Sequence, residues 1–185
     1  MKKIVSILIL MILMFSCKEN ESKKQNDNIN KSDINTEVDS NQDNFNIEMN
    51  VIVEKPDEFV LYYLEGEQNK IKQRTSISLK VVGSTEPQKL KFKLKDNVLP
   101  TKLFLKFGQN QAEQKITFFK TIISYRKDEK KLVIEGSRFF QFFNPNEFID
   151  FDKVNNIATL KEINGKMNPA FVSRKVLDRK IDFMY

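Results

Sequence analysis

Between Lys89 and Lys95 the chain reads Lys-Leu-Lys-Phe-Lys-Leu-Lys, alternating without exception. A period of two belongs to a β-strand with one buried and one solvated face. Ile77, Leu79 and Val81 alternate with Ser76, Ser78 and Lys80 in the same way. Gly83-Ser84-Thr85-Glu86-Pro87 lies between the two runs and supplies turn chemistry. The pair is expected to form neighbouring antiparallel strands.

Period two extends along the chain from Ile47. Leu103, Leu105 and Phe107 share a face, and Gly108-Gln109-Asn110 ends that run. Ile116 and Phe118 have one parity while Phe119, Ile123 and Tyr125 have the other, which predicts a bulge at Phe118-Phe119. Leu132 and Ile134 form a further strand ended by Gly136, and Phe148–Phe151 with Ile157–Leu160 read as a final hairpin. Several short strands with turns between them point to an all-β, antiparallel β-sandwich. One helical insertion interrupts it: Phe139, Phe140, Phe142 and Phe143 fall at helical spacing, with Ser137 as a cap and Pro145 as a stop. This short Phe-rich helix is expected to plug one end of the sandwich.

The first residues carry a different signal. Lys2 and Lys3 precede an apolar run from Ile4 to Phe15, which is the pattern of a secretory leader. The run falls well short of the ~20 residues that a helix needs to cross ~30 Å of hydrocarbon. Met14-Phe15-Ser16-Cys17 resembles a bacterial lipobox, in which the cysteine is diacylated and the leader is cut before it. Cys17 is the one cysteine of the chain and stands where the apolar run ends. The expected organisation is a signal peptide over 1–16, a lipidated Cys17 with a disordered polar tether over 17–45, and a sandwich domain over 46–185. The partner implied by Cys17 is a lipid bilayer, held durably by multiple acyl chains.

The tether has no Gly or Pro and is dominated by Asn, Asp, Ser, Glu and Lys. Its few apolar residues, Ile29, Ile34, Val38 and Phe45, show no useful period, so it cannot bury enough surface to offset chain entropy. A flexible tether of ~30 residues spans about 30 Å. Residues 18–50 hold four basic and eight acidic side chains, whereas residues 51–185 hold 25 basic and 17 acidic. Residues 51–185 are therefore +8 and residues 18–50 are −4.

Composition narrows the chemistry. There are no histidines, which removes Ser-His-Asp and Cys-His nucleophiles and His-ligated metals, and a single cysteine forms no intrachain disulfide. No cofactor is implied. Asp150 and Asp152, at i, i+2 on a strand, point the same way. They are the candidates for a structural calcium or a two-carboxylate hydrolase. Calcium, however, asks for six to eight oxygens, and glycosidases for two carboxyls facing across a cleft.

Several segments together resemble β-sandwich domains of Bacteroidetes. They are Glu58–Tyr63, Val81–Ser84 leading to Gln88–Leu94, Pro100–Gly108 and Phe139–Phe143. Those domains occur in lipoproteins and in membrane proteins associated with cell-surface polysaccharide. The strand Lys102–Phe107 also resembles, more distantly, one of galactose-binding jelly rolls, implying a jelly-roll-like sandwich. Cys17-Lys18-Glu19-Asn20-Glu21 is similar to the lysine-then-acid export signal of some Bacteroidetes lipoproteins, with Asn20 interrupting it. The resemblance implies export to the cell exterior, and Lys18, in place of the Asp that retains enterobacterial lipoproteins in the inner membrane, points to the outer membrane.

Two surfaces are candidates for binding. Lys89, Lys91, Lys93 and Lys95 line one strand face, with Lys80, Lys102 and Lys106 expected nearby. Such a stripe attracts an anionic partner, acidic polysaccharide or lipid headgroup, or else only protects an edge strand. Tyr62 and Tyr63 point to opposite faces of a strand apolar on both sides, so one of them is a candidate aromatic contact for a sugar ring. The functional expectation is a membrane-anchored lipoprotein with a non-catalytic binding domain, for surface polysaccharide or, alternatively, for an envelope protein. Nucleic acid is not an expected partner.

Overall fold

The computed structural model describes residues 44–66, 75–108, 113–126 and 130–184. The leader and Cys17 lie outside them. Two antiparallel sheets share one core in a β-sandwich-like arrangement. The first is six-stranded, with the order β4 (Gln88–Lys93), β1 (Asn46–Val53), β6 (Gln114–Tyr125), β10 (Ile157–Leu160) and β9 (Ile149–Asp152), while β7 (Lys130–Glu135) also pairs with β6. The second is five-stranded, with the order β3 (Thr75–Val81), β2 (Asp57–Glu65), β5 (Pro100–Lys106), β11 (Ala170–Ser173) and β8 (Phe143–Pro145).

Local pattern explains the elements. In β1, Ile47, Met49, Val51 and Val53 are buried and alternate with partly exposed residues. Phe45, assigned from sequence to the tether, is fully buried, and its carbonyl accepts a 2.9 Å hydrogen bond from Leu94 N. The core thus begins one residue ahead of the sequence boundary. Each such side chain contributes roughly 1.5–3 kcal/mol by leaving water.

The bulge falls where the parity change places it. Asn50 pairs with Lys120 and Val51 with Phe118, which leaves Phe119 as the extra residue of β6. Beyond the bulge β6 exchanges its far neighbour, from β10 at Gln114–Thr117 to β7 at Lys120–Tyr125. The β9–β10 hairpin also forms as expected.

Other expectations are corrected. β3 and β4 are not partners: β3 pairs with β2 in one sheet and β4 with β1 in the other. The turn between them is a corner that carries the chain across the sandwich, packed on the β1–β2 loop. Ser84 N donates to Val53 O at 2.7 Å, and a Cβ on Gly83 would lie 2.8 Å from Glu54 O. The Phe-rich helix is also shorter than its stripe. A 3-10 turn, Gly136–Arg138, leads into α1 (Phe139–Phe142), and Phe143 already belongs to β8. Ser137 caps nothing: Glu135 holds the cap position of the turn and Arg138 that of α1, each without a side-chain bond. The β9–β10 hairpin is not final either, since β11 and α2 (Lys175–Asp182) follow it. α2 buries Leu177 and Ile181, and Met184 follows at the same helical spacing.

Phe118, Phe139 and Phe143 stack in series at centroid distances of 4.2 and 4.6 Å, and Phe171 meets both Phe118 and Phe139 edge-on. Phe107 joins this group to Phe59 at 4.5 Å. The rings therefore bridge both sheets.

Gly136 permits this arrangement. A Cβ there would lie 2.0 Å from the Phe118 carbonyl oxygen, and backbone cannot step aside. Gly136→Ala is expected to cost about 3 kcal/mol or more, at the upper end of overpacking effects. Gly165→Ala, at φ +70° with open space around it, is expected to cost only about 1–2 kcal/mol of left-handed strain. Urea midpoints of the two variants check this, and equal losses would contradict it.

Candidate functional site

The alternation of β4 sends Leu90 and Phe92 into the core and leaves Lys89, Lys91 and Lys93 exposed. Lys95 is also exposed but lies past the strand end, where its carbonyl accepts Val98 N at 3.3 Å. Three of the four lysines thus share a regular strand face.

Register extends that face over four strands. One row runs Lys89, Asn50, Lys120, Glu135; the next runs Lys91, Glu48, Ile122, Val133; the third runs Lys93, Asn46, Ser124, Lys131. Five cations therefore share the face with two carboxylates. Glu48 reaches Lys89 at 3.8 Å and Glu135 reaches Lys120 at 3.6 Å. Lys91, Lys93 and Lys131 form no ion pair among the described residues. Ile122 and Val133 place a small apolar centre among the charges.

The remaining lysines of the sequence grouping lie elsewhere. Lys80 belongs to β3, and Lys102 and Lys106 to β5, all in the second sheet. Lys102 is half-buried. Its Nζ donates to Asp178 Oδ2 at 2.7 Å, and Asp178 Oδ1 also accepts the Ser173 hydroxyl. Ser173 Oγ in turn accepts Leu103 N at 3.0 Å. This cluster clamps α2 onto β5 and β11.

Tyr63 points inward and is buried, which removes it as a surface contact. Tyr62 is half-buried on the outer face of β2, opposite Phe104 of β5. β2 is flanked by β3 and β5, and Lys106 and Lys102 stand opposite Val60 and Leu64 on that outer face. Their aliphatic stems are suited to cover those apolar neighbours.

Asp150 and Asp152 do project together from β9, but each is engaged locally. Asp150 accepts Lys161 Nζ at 2.6 Å. Asp152 accepts the Asn155 side-chain amide at 2.7 Å and the backbone N–H groups of Val154 and Asn155. These bonds, the Asn155 side chain first, hold its carboxyl below the usual carboxylate range. Asp152 thus closes the β9–β10 turn, and Asp150 pairs with Lys161 beyond β10. Among the described residues no His, Cys, Asp and Glu group is arranged to hold a metal ion. A cleft of about 630 Å³ near the start of β6 is lined by Lys55, Lys115 and Lys161 against Glu54, Glu113 and Glu162. At its wall the buried Gln114 amide pairs with the backbone of Lys55 at 3.0 and 2.7 Å.

One cluster had no local signal in the sequence. The Phe140 ring carries Lys153 Nζ at 4.2 Å and Arg174 Cζ at 4.6 Å, and stacks on Phe151 at 5.7 Å. Arg174 also donates to Asn144 Oδ1 at 2.7 Å. Its members come from α1, β9, the β9–β10 turn and the residue before α2, so only the fold assembles them.

No family model matches the chain, and no curated protein matches it. No helix among the described residues is long and apolar enough to cross a membrane.

The Lys102–Asp178–Ser173 clamp gives a test of this geometry. Asp178→Ala leaves the buried Ser173 hydroxyl short of its acceptor and the half-buried Lys102 ammonium with the Ser173 carbonyl but no counter-charge. The expected loss is about 1–3 kcal/mol, read as a lower denaturation midpoint. Lys89→Gln, by contrast, should stay within about 0.5 kcal/mol, as exposed substitutions do.

Proposed function

We propose that the chain is a membrane-anchored bacterial lipoprotein displaying a non-catalytic, jelly-roll-like β-sandwich domain at the cell envelope, on the outer membrane, and that the domain binds acidic surface polysaccharide. The observation that carries the binding half is the outer face of β4. It presents Lys89, Lys91 and Lys93 to solvent, and among the described residues Lys89 alone of the three has a carboxylate in reach, Glu48. Such a face attracts polyanions by long-range charge, an attraction screened over about 8 Å at physiological ionic strength. The anchoring half rests on the sequence around Cys17, which resembles a lipobox.

The non-catalytic reading is supported by the engagement of Asp150 and Asp152 within their own hairpin. The alternative partner, an envelope protein, is favoured by a different observation: β4 is an edge strand among the described residues.

Two experiments test the two halves separately. Cys17→Ser is expected to abolish incorporation of labelled fatty acid and to release the protein from the membrane fraction; normal processing and retention would remove the anchor. In the full chain, replacing Lys89, Lys91, Lys93 and Lys95 by glutamine should lower affinity for a uronic-acid polysaccharide at least tenfold at low salt. High salt should do the same to the parent, and neutral glycans should respond to neither. Undiminished binding by the quadruple variant would leave the stripe as a solvated face.

A further inference from the structure

α2 and the two residues after it are two-sided. Leu177, Ile181 and Met184 fill the inward stripe and belong to the core. Val176 and Phe183, seven residues apart, share an outward stripe and stay 44% and 81% exposed. Residues three and four apart are neighbours on a helix, so Arg179 and Lys180 stand between them. The Asp178 clamp and the inward stripe already seat α2, so packing does not account for an outward phenylalanine.

A groove of about 390 Å³ lies beside this ring, lined by Lys180, Phe183 and Met184 and, from β7, by Lys130, Lys131 and Leu132. Lys130, Lys131, Lys175, Arg179 and Lys180 are all exposed. None of them forms an ion pair or a side-chain hydrogen bond among the described residues. Of the two acids on α2, Asp178 is held by Lys102, which leaves Asp182 against these cations. An exposed ring among unpaired cations suits the boundary between lipid headgroups and acyl chains, where the ring enters hydrocarbon and the ammonium groups meet phosphate. A soluble polyanion would use the cations and leave the ring in water.

We infer that Phe183 and the cations around it form a docking surface for an anionic lipid bilayer, with the ring inserted at headgroup level and Lys130, Lys131 and Lys180 on lipid phosphates. The surface lies near the end at which the chain enters the domain. Lys131 pairs with Ser124 and Ser124 with Asn46, so β1 begins two strand spacings, about 9.6 Å, from Lys131. Docking here requires neither acylation of Cys17 nor Lys89, Lys91 and Lys93, so it stands or falls apart from the function proposed above.

The chain has no tryptophan, so F183W supplies a single reporter at the site. The full 185-residue chain also carries C17S, which keeps acylation out of the measurement. The apolar run Ile4–Phe15 can itself enter lipid, so the readout is emission from position 183 and not co-sedimentation. With phosphatidylglycerol vesicles this emission should shift to the blue and be quenched by brominated acyl chains. With phosphatidylcholine vesicles it should stay as it is in buffer. Adding K130Q/K131Q/K180Q should raise the lipid concentration at half-shift on the order of a hundredfold. The reporter V82W, on an exposed residue of the corner between β3 and β4, should shift with neither lipid. All the substituted side chains of the domain are exposed, so the fold is retained. No shift at position 183 with the anionic vesicles would overturn the inference. So would an equal shift with phosphatidylcholine, an equal shift of V82W, or a half-shift that the three glutamines leave in place. A blue shift growing with protein concentration in buffer would also overturn it and assign the groove to a second copy.

Discussion

Phe118 sits at the last ladder pair before β6 bulges, and its carbonyl lies directly under Gly136. That contact decides how the chain leaves the first sheet. β7 ends at Glu135, and within eight residues the chain has made a 3-10 turn, one turn of helix and entered β8 of the other sheet. So tight a crossing requires the backbone at 136 to lie against the backbone at 118, where a single methyl group does not fit. It then delivers Phe139 and Phe143 as stacked rings onto Phe118, with Phe171 of β11 closing the side. Dispersion contacts between such rings are individually small and collectively large. β8 and β11 hold their places through this column.

The strands themselves were legible because period two survives in a short window. The lysine run read as β4 and the Ile77–Val81 run read as β3. Their partners were not legible, since a turn of Gly, Ser and Pro serves a hairpin and a sandwich corner equally well. Which one forms depends on the inward face each strand meets, and that face is built with partners distant in the chain, β2 for β3 and β1 for β4. The phenylalanine run misled for a related reason. Its spacing fits a helix, but Phe143 pairs opposite Ser173 as the first residue of β8. β11, at four residues, gives too little pattern to identify. α2 shows Leu177 and Ile181 four apart, yet no side chain caps its start.

The candidate site divides in the same way. Lys89, Lys91 and Lys93 could be placed on one exposed face from sequence, because strand geometry alone fixes their direction. The rows that complete the face, from Glu48 to Lys131, depend on register between strands far apart in the chain. Lys102 resembled the stripe lysines in sequence but found Asp178, 76 residues away, and became structural. Phe140 with Lys153 and Arg174 is non-local throughout.

The position of β11 and α2 has a kinetic consequence. β5 is flanked on one side by β2 and on the other by β11, and the core includes Phe171, Leu177 and Ile181. Until residues 170–184 have been made, β5 keeps a bare edge and the aromatic column lacks its closing ring. β4, β1 and β6 likewise join segments dozens of residues apart, the kind of pairing that pays loop-closure entropy before it gains contacts and so folds slowly. A nascent chain stopped short of Phe171 therefore stays open and vulnerable to proteases, and the domain matures late and as a whole.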